Sequence, residues 1–235
     1  MVRARAWGPG CGWALDRVPA LLGLHDEPAA FAPAGGRMAS LARRWRGLRL
    51  SRSPWVHEGL AEYVLQQRVS FRDATRAQGR LVRSLSPEAP GPPGLRLPLA
   101  PLDWLRLRSD DFHRAGIDVQ RARTLRAVAR EARRLDAAFE RAPAAARAVL
   151  SSVPGCGPWT VEITLGFVLG DPDAVPTGDL HLPHEVAWVL AGEARGSDRR
   201  MLELLSPFAG QRFRVLRLLL AAGRVHLGRA LPRSR

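Results

Sequence analysis

Leu150-Ser-Ser-Val-Pro-Gly-Cys-Gly-Pro-Trp-Thr160 is the stretch whose reading decides the fold. A helical run from Ala144 to Val153 is ended by Pro154-Gly155-Cys156-Gly157. The two glycines permit φ > 0 and leave backbone N–H groups uncovered. Pro158 suits the first turn of a following helix, where its missing N–H costs nothing. A helix, a tight turn and a second helix therefore aim several N–H groups at one point, which makes an anion site fit for a backbone phosphate. Twenty residues after Trp159, Asp179 in Pro176-Thr-Gly-Asp-Leu-His181 supplies a carboxylate one helix and one loop further on. An acid held beside a phosphate-binding turn points to chemistry on a nucleotide.

Outward from this stretch, helical periodicity dominates after residue 50. Val56, Leu60, Tyr63 and Val64 share one face, with Ser53-Pro54 as the expected helix start. Ser70 is expected to cap a helix that turns Phe71, Ala74, Leu81, Val82 and Leu85 inward. Residues 86–101 hold six prolines and two glycines and read as loop. A short helix spans Pro101–Arg108, and Gly116 closes the next turn. Asp118 is placed to cap a long helix that buries Val119, Ala122, Leu125, Val128, Ala132 and Leu135 and shows an arginine-rich face to solvent. Beyond the loop at 171–178, helices are expected near Pro183–Leu190, with Trp188 in the core, and from Gln211 to Ala222. Only Val2–Trp7 and Gly47–Leu50 look extended. The fold class is mainly α. Residues 1–50 read as an N-terminal segment, 51–222 as the main helical region and 223–235 as a basic tail.

The chain has 235 residues, 36 basic against 22 acidic, for a formal charge of +14. Every basic residue is arginine, whose guanidinium fork meets phosphate oxygens bidentately. Residues 195–235 alone carry ten arginines against Asp198 and Glu203. Such a surplus favours a nucleic acid or another polyanion as partner. With no lysine, side-chain Schiff-base chemistry is excluded. Cys11 and Cys156 cannot alone form a zinc or iron–sulfur site, and His181 and His184 lack a third ligand cluster, so neither metal nor cofactor is expected. No apolar stretch is long enough to span a bilayer or to form a signal-peptide core. A cytoplasmic monomer without membrane contact is expected.

From about residue 55 to 222, the order of parts resembles the helix-hairpin-helix DNA glycosylase superfamily, and its 3-methyladenine DNA glycosylase II branch most. Four stretches carry the match: Val64-Leu-Gln-Gln-Arg-Val-Ser70, Gly116-Ile with the arginine-rich helix after it, Val153-Pro-Gly-Cys-Gly-Pro-Trp-Thr160, and Gly178-Asp-Leu-His181. The resemblance implies a helix-hairpin-helix glycosylase bundle. It also implies a monofunctional enzyme that flips an alkylated purine of the 3-methyladenine type out of damaged double-stranded DNA and hydrolyses its N-glycosidic bond, the first step of base-excision repair.

The resemblance makes Asp179 the catalytic carboxylate, stabilising the positive charge that develops on the sugar or orienting a water. The same residue also suits a helix cap ahead of Pro183. Trp159 falls where bifunctional members carry a catalytic lysine, so the chain is expected to leave an abasic site without nicking the strand. Its ring can stack on the flipped, cationic base. Gly155, Gly157 and Thr160 are expected to grip the phosphate backbone. Gln67 and Arg68 fall beside the opened duplex, Arg68 either plugging the gap or touching a phosphate. Relatives carry a small β domain ahead of the helices, of which residues 1–15 offer at most a remnant strand. Positions aromatic in some relatives are Ile163 and Leu220 here, which leaves lesion breadth open. A DNA-binding module without catalysis, or a glycosylase for a deaminated or oxidised base, remain the alternatives.

Overall fold

A computed structural model describes residues 1–223, so most of the expected basic tail lies outside the described residues. Fourteen α-helices are found among them. The first three are α1 (Cys11–Asp16), α2 (Val18–Leu21) and α3 (Gly36–Arg44). The central group is α4 (Val56–Leu65), α5 (Phe71–Leu85), α6 (Pro101–Arg106), α7 (Ser109–Ala115), α8 (Val119–Arg130) and α9 (Ala132–Asp136). The hairpin pair is α10 (Pro143–Ser151) and α11 (Pro158–Val168), followed by α12 (Leu182–Ala191), α13 (Asp198–Leu205) and α14 (Arg212–Ala221). No strand forms among the described residues, only an isolated antiparallel bridge between Glu88 and Arg96.

Helix α4 is the axis of the molecule, packed against α8, α9 and α11. Val56, Leu60, Val64 and Leu65 on it are fully or almost fully buried. Gly59 brings α4 onto the end of α11, because an added Cβ would stand 2.5 Å from Val168 Cγ2. The expected caps hold. Ser70 Oγ accepts from Asp73 N–H at the start of α5, and Asp118 Oδ1 accepts from Arg121 N–H at the start of α8. Each satisfies an N–H that the helix itself leaves unpaired.

Several local expectations are corrected. Helix α4 begins at Val56, not at Ser53-Pro54; Ser53 Oγ instead accepts from Trp55 N–H. Phe71, Leu85 and Val119 are exposed, because each is the first or last residue of its helix and projects past the packed turns. The long helix after Asp118 breaks at Glu131 into α8 and α9. Trp188 is 63% exposed, on the outer side of α12, while Val186, Ala187 and Val189 face inward. Val2–Trp7 has no ladder partner and stays irregular, with Trp7 lying over Gly91 of the proline-rich loop. Gly47–Leu50 likewise forms a turn and coil.

The N-terminal segment shares the core of the rest: Ala20, Met38 and Leu50 belong to the same buried cluster as the helices after residue 51. It is pinned by a buried ion pair between Asp26 and Arg214 on α14, with side chains 8% and 4% exposed. Asp26 Oδ2 also accepts from Leu50 N–H, and Gln211 Oε1 accepts from Arg214 Nε. Both charges therefore have several partners, the condition under which burying a pair is tolerable.

Candidate active site and nucleic-acid interface

The turn between α10 and α11 takes its shape from Gly155. Its φ of +89° is a left-handed conformation, and an added Cβ would lie 2.0 Å from Thr124 Oγ1 on α8. Only glycine meets both demands. Gly157 departs from the expectation of positive φ. At φ −79°, ψ 178° it is extended backbone, with open space where a side chain would stand. Among the described residues, the N–H groups of Gly155, Gly157, Trp159 and Thr160 make no backbone hydrogen bond. They are free for an anion at the head of α11.

Gln67 reaches into this turn from the end of α4. Its Nε2 donates to Gly155 O at 3.0 Å and to Thr160 Oγ1 at 2.8 Å. Thr160 is 2% exposed, so its hydroxyl braces the turn from within. Arg121, buried on α8, donates to Leu65 O and Gly116 O and pairs with Asp118, which fixes the last turn of α4. Arg68 follows directly. It is exposed and has φ +59°, the one non-glycine residue with positive φ among those described. Such a conformation costs about 1–2 kcal/mol and survives only where its surroundings impose it.

Asp179 meets Trp159 beside the hairpin turn. Trp159 Nε1 donates to Asp179 Oδ2 at 2.8 Å. Asp179 Oδ1 accepts from His181 N–H and Leu182 N–H, both at 2.9 Å, at the start of α12. The capping reading of Asp179 is met by one oxygen, while the other accepts from the hairpin's Trp159. The loop leading to it is tied at each step. Asp171 Oδ1 accepts from Asp173 N–H, Glu162 Oε2 from Val175 N–H, and Asp198 Oδ2 from Gly178 N–H. Arg147 bridges Glu162 and Asp171, and Arg212 pairs with Asp173. Burial of Asp173 opposes its ionisation, but hydrogen bonds from Arg212 outweigh it and hold the carboxyl below its usual range.

One wall of the cleft went unrecognised in the sequence. Tyr63 stands edge-on to Trp159, with centroids 6.4 Å apart, and 6.2 Å from Phe167. Phe167 in turn carries the Arg217 guanidinium at 4.8 Å over its ring. Trp159, Tyr63, Phe167 and Arg217 are all half-buried, whereas Phe213 behind them is buried. Burial drives the Tyr63 hydroxyl well above the usual tyrosine range, so it stays protonated. Helical spacing placed Tyr63 on the inner face of α4; only tertiary packing puts it beside Trp159.

Cys156 is buried in the turn, its thiol pushed up to about 12 by desolvation, and is inert. His184 Nδ1 accepts from Gly196 N–H, which fixes its ring to the backbone. Among the described residues no group of three His, Cys, Asp or Glu could hold a metal ion, and no helix is long and apolar enough to cross a membrane.

No protein-family model matches the chain. In sequence it is 32% identical, over 176 residues, to the probable bifunctional transcriptional activator/DNA repair enzyme AlkA of Mycobacterium tuberculosis. The match takes in 72% of this chain and 35% of that protein, so the chain spans about a third of the length of the curated relatives it matches. In structure it is similar to the 3-methyladenine DNA-glycosylase of Archaeoglobus fulgidus, with a TM-score of 0.75 at 21% identity over 95% of this chain and 78% of that one. The fold is that of the helix-hairpin-helix DNA glycosylases. The similarity in fold extends to the 8-oxoguanine glycosylase/lyase of Clostridium acetobutylicum in complex with double-stranded DNA, with a TM-score of 0.70 at 13% identity over 90% of this chain and 75% of that one. The predicted site residues other than Arg68 come together at the hairpin and the loop before α12. Asp179 joins Trp159, and Gln67 joins Gly155 and Thr160, while Arg68 projects into solvent from the same loop.

Proposed function

We propose that the chain is a monofunctional DNA glycosylase that removes alkylated purines of the 3-methyladenine type from double-stranded DNA, initiating base-excision repair. The observation that carries this reading is the hydrogen bond from Trp159 to Asp179, which puts a carboxylate and an aromatic face at one point beside a phosphate-binding turn. The head of α11 takes a backbone phosphate through the free N–H groups of Gly155, Gly157 and Thr160. Gln67 holds that turn in shape, and Arg68 stands where the duplex opens around the flipped nucleotide. Flipping exposes the glycosidic bond to Asp179 and costs a few kcal/mol, least for a damaged base.

The base then rests against Trp159 and Tyr63. As the bond to the sugar lengthens, positive charge grows on the deoxyribose and the Asp179 carboxylate stabilises it or orients the attacking water. A purine alkylated on a ring nitrogen departs as a neutral base, so no strong general acid is needed. With no lysine in the chain, no side-chain Schiff base forms with the sugar, and the product is an intact abasic strand. No cofactor or metal enters the reaction. The likeness to AlkA and to solved DNA glycosylases supports this reading. The test is chromatographic release of free base from methylated duplex DNA, with gel assay for strand breaks. Base release without nicking is expected. Binding to DNA without any release would leave a DNA-binding module instead.

A further inference from the structure

Arg217 is a cation without a counter-ion. Among the described residues its guanidinium forms no salt bridge and no hydrogen bond. Its neighbours are the face of Phe167, 4.8 Å away, and the Tyr63 phenol. Most of the other buried or half-buried arginines are spent, Arg17 stacked on Trp13 being an exception. Arg121, Arg147, Arg212 and Arg214 each hold carboxylates. Arg52 and Arg126, the two others stacked on phenylalanine rings, also donate to main-chain carbonyls. Arg217 is half-buried rather than buried, so its unused donors remain open to solvent and to whatever ligand reaches them. Burial also weakens the hold of Arg217 on its proton, so the protein bears the desolvation of this charge without pairing it. The Phe167 ring fixes the guanidinium in place, and Phe167 and Tyr63 continue to Trp159 and Asp179 along one wall. Its N–H donors are therefore available to something that enters the cleft.

Resting on the glycosylase reading above, we infer that Arg217 is a specificity-determining residue that favours alkylated guanines over alkylated adenines. The two classes of lesion carry the same positive charge, so their repulsion from the guanidinium cancels in the comparison. They differ at the edge of the ring. A methylated guanine keeps the O6 carbonyl, an acceptor; 3-methyladenine offers the N6 amine, which confronts guanidinium donors with a donor. In 3-methylguanine both O6 and N7 are free, and an arginine fork can engage them together. In 7-methylguanine only O6 is left. The preference is thus ordered, 3-methylguanine above 7-methylguanine above 3-methyladenine, each relative to its release without the arginine.

The test compares the full chain with Arg217→Met on duplex DNA methylated by dimethyl sulfate, with the released bases resolved chromatographically. Methionine keeps an unbranched stem over Phe167 and removes every donor. Ratios of products from one preparation are insensitive to partial loss of folded protein. We expect the ratio of 3-methylguanine to 3-methyladenine to fall about tenfold or more in Arg217→Met, the size of a good bidentate contact to a base edge. The 7-methylguanine ratio should fall by less, and Arg217→Lys should lie between. Unchanged ratios, or equal loss of all three bases, would overturn the inference and leave Arg217 a packing residue. Absence of any release by the unmodified chain would overturn the glycosylase reading itself, and this inference with it.

Discussion

Trp159 and Asp179 lie twenty residues apart in sequence and are joined by one hydrogen bond, Nε1 to Oδ2 at 2.8 Å. The bond links the first turn of α11 to the residue that caps α12, so the hairpin and the carboxylate move as one unit. Under the proposed function the indole has two duties, an aromatic face for the base and a donor for the Asp179 carboxylate.

Those duties separate by substitution. Trp159→Phe keeps an aromatic face and loses the donor. A hydrogen bond to a charged group contributes about 1.5–3 kcal/mol, so kcat for base release should fall about tenfold or more with KM little changed. Trp159→Ala should raise KM as well. Single-turnover and steady-state excision assays on methylated duplex DNA read the split. Equal kcat for Trp159→Phe and the parent would show that only the ring matters.

Gly155→Ala should lose both stability and DNA affinity. The added Cβ meets Thr124 Oγ1 at 2.0 Å and the backbone must keep φ +89°. Overpacking costs about 1–3 kcal/mol and left-handed strain about 1–2 more. In a chain of this size each kcal/mol lowers Tm by roughly 2–4 °C. Thermal unfolding and fluorescence anisotropy with duplex DNA measure the two effects. Gly157→Ala, at an ordinary φ with open space around it, should leave Tm within a degree or two, by the same scaling.

Asp26→Ala should be among the most damaging changes far from the cleft. It leaves Arg214, 4% exposed, as an uncompensated buried charge, at a cost of about 3–5 kcal/mol. A double variant, Asp26→Leu with Arg214→Met, should recover much of that loss. Urea denaturation of the three proteins decides it, and a mild effect of Asp26→Ala would show that the pair is dispensable.

Glu58 gives a pH dependence with a defined sign. Burial raises its carboxyl above the usual carboxylate range near 4.5; His57 opposes this, and Glu62 and Asp136 add to it. A carboxyl with a raised folded pKa binds protons more tightly in the native state, so it destabilises the fold above that pKa and ceases to do so below 4.5. Glu58→Gln should therefore raise Tm at pH 7, with the gain shrinking as pH approaches 4.5. A gain that persists unchanged at low pH would contradict the assignment.

Much of the architecture was legible in sequence because it is local. Ser70 and Asp118 announce their helices through caps, Pro158 marks the head of α11, and the spacing of Leu60, Val64, Leu125 and Leu135 marks the core. What failed lay at helix ends or depended on tertiary packing. Phe71 and Val119 fit the hydrophobic pattern yet project past it from terminal turns, and Trp188 sits one position off the inward stripe of α12. Trp159, Asp179 and Gln67, named from their motifs and the resemblance, do make contacts around the hairpin. Tyr63 and Arg217 were not legible as site residues, since a tyrosine on an inward face and an arginine in an apolar helix carry no sign that α4, α11 and α14 converge there. The role of Gln67 as a brace inside the hairpin required coordinates, since its two acceptors lie 88 and 93 residues away.

The most direct test of the central claim is base release by Asp179→Asn beside the parent chain. Asparagine is nearly isosteric and can still cap α12 through its one side-chain oxygen; its amide nitrogen then faces Trp159 Nε1, so that hydrogen bond is lost while fold and DNA affinity should largely persist. Excision from methylated duplex DNA should drop by about 10²-fold or more, as expected on removing a charge aimed at the transition state. Retention of most of the activity by Asp179→Asn would contradict the account.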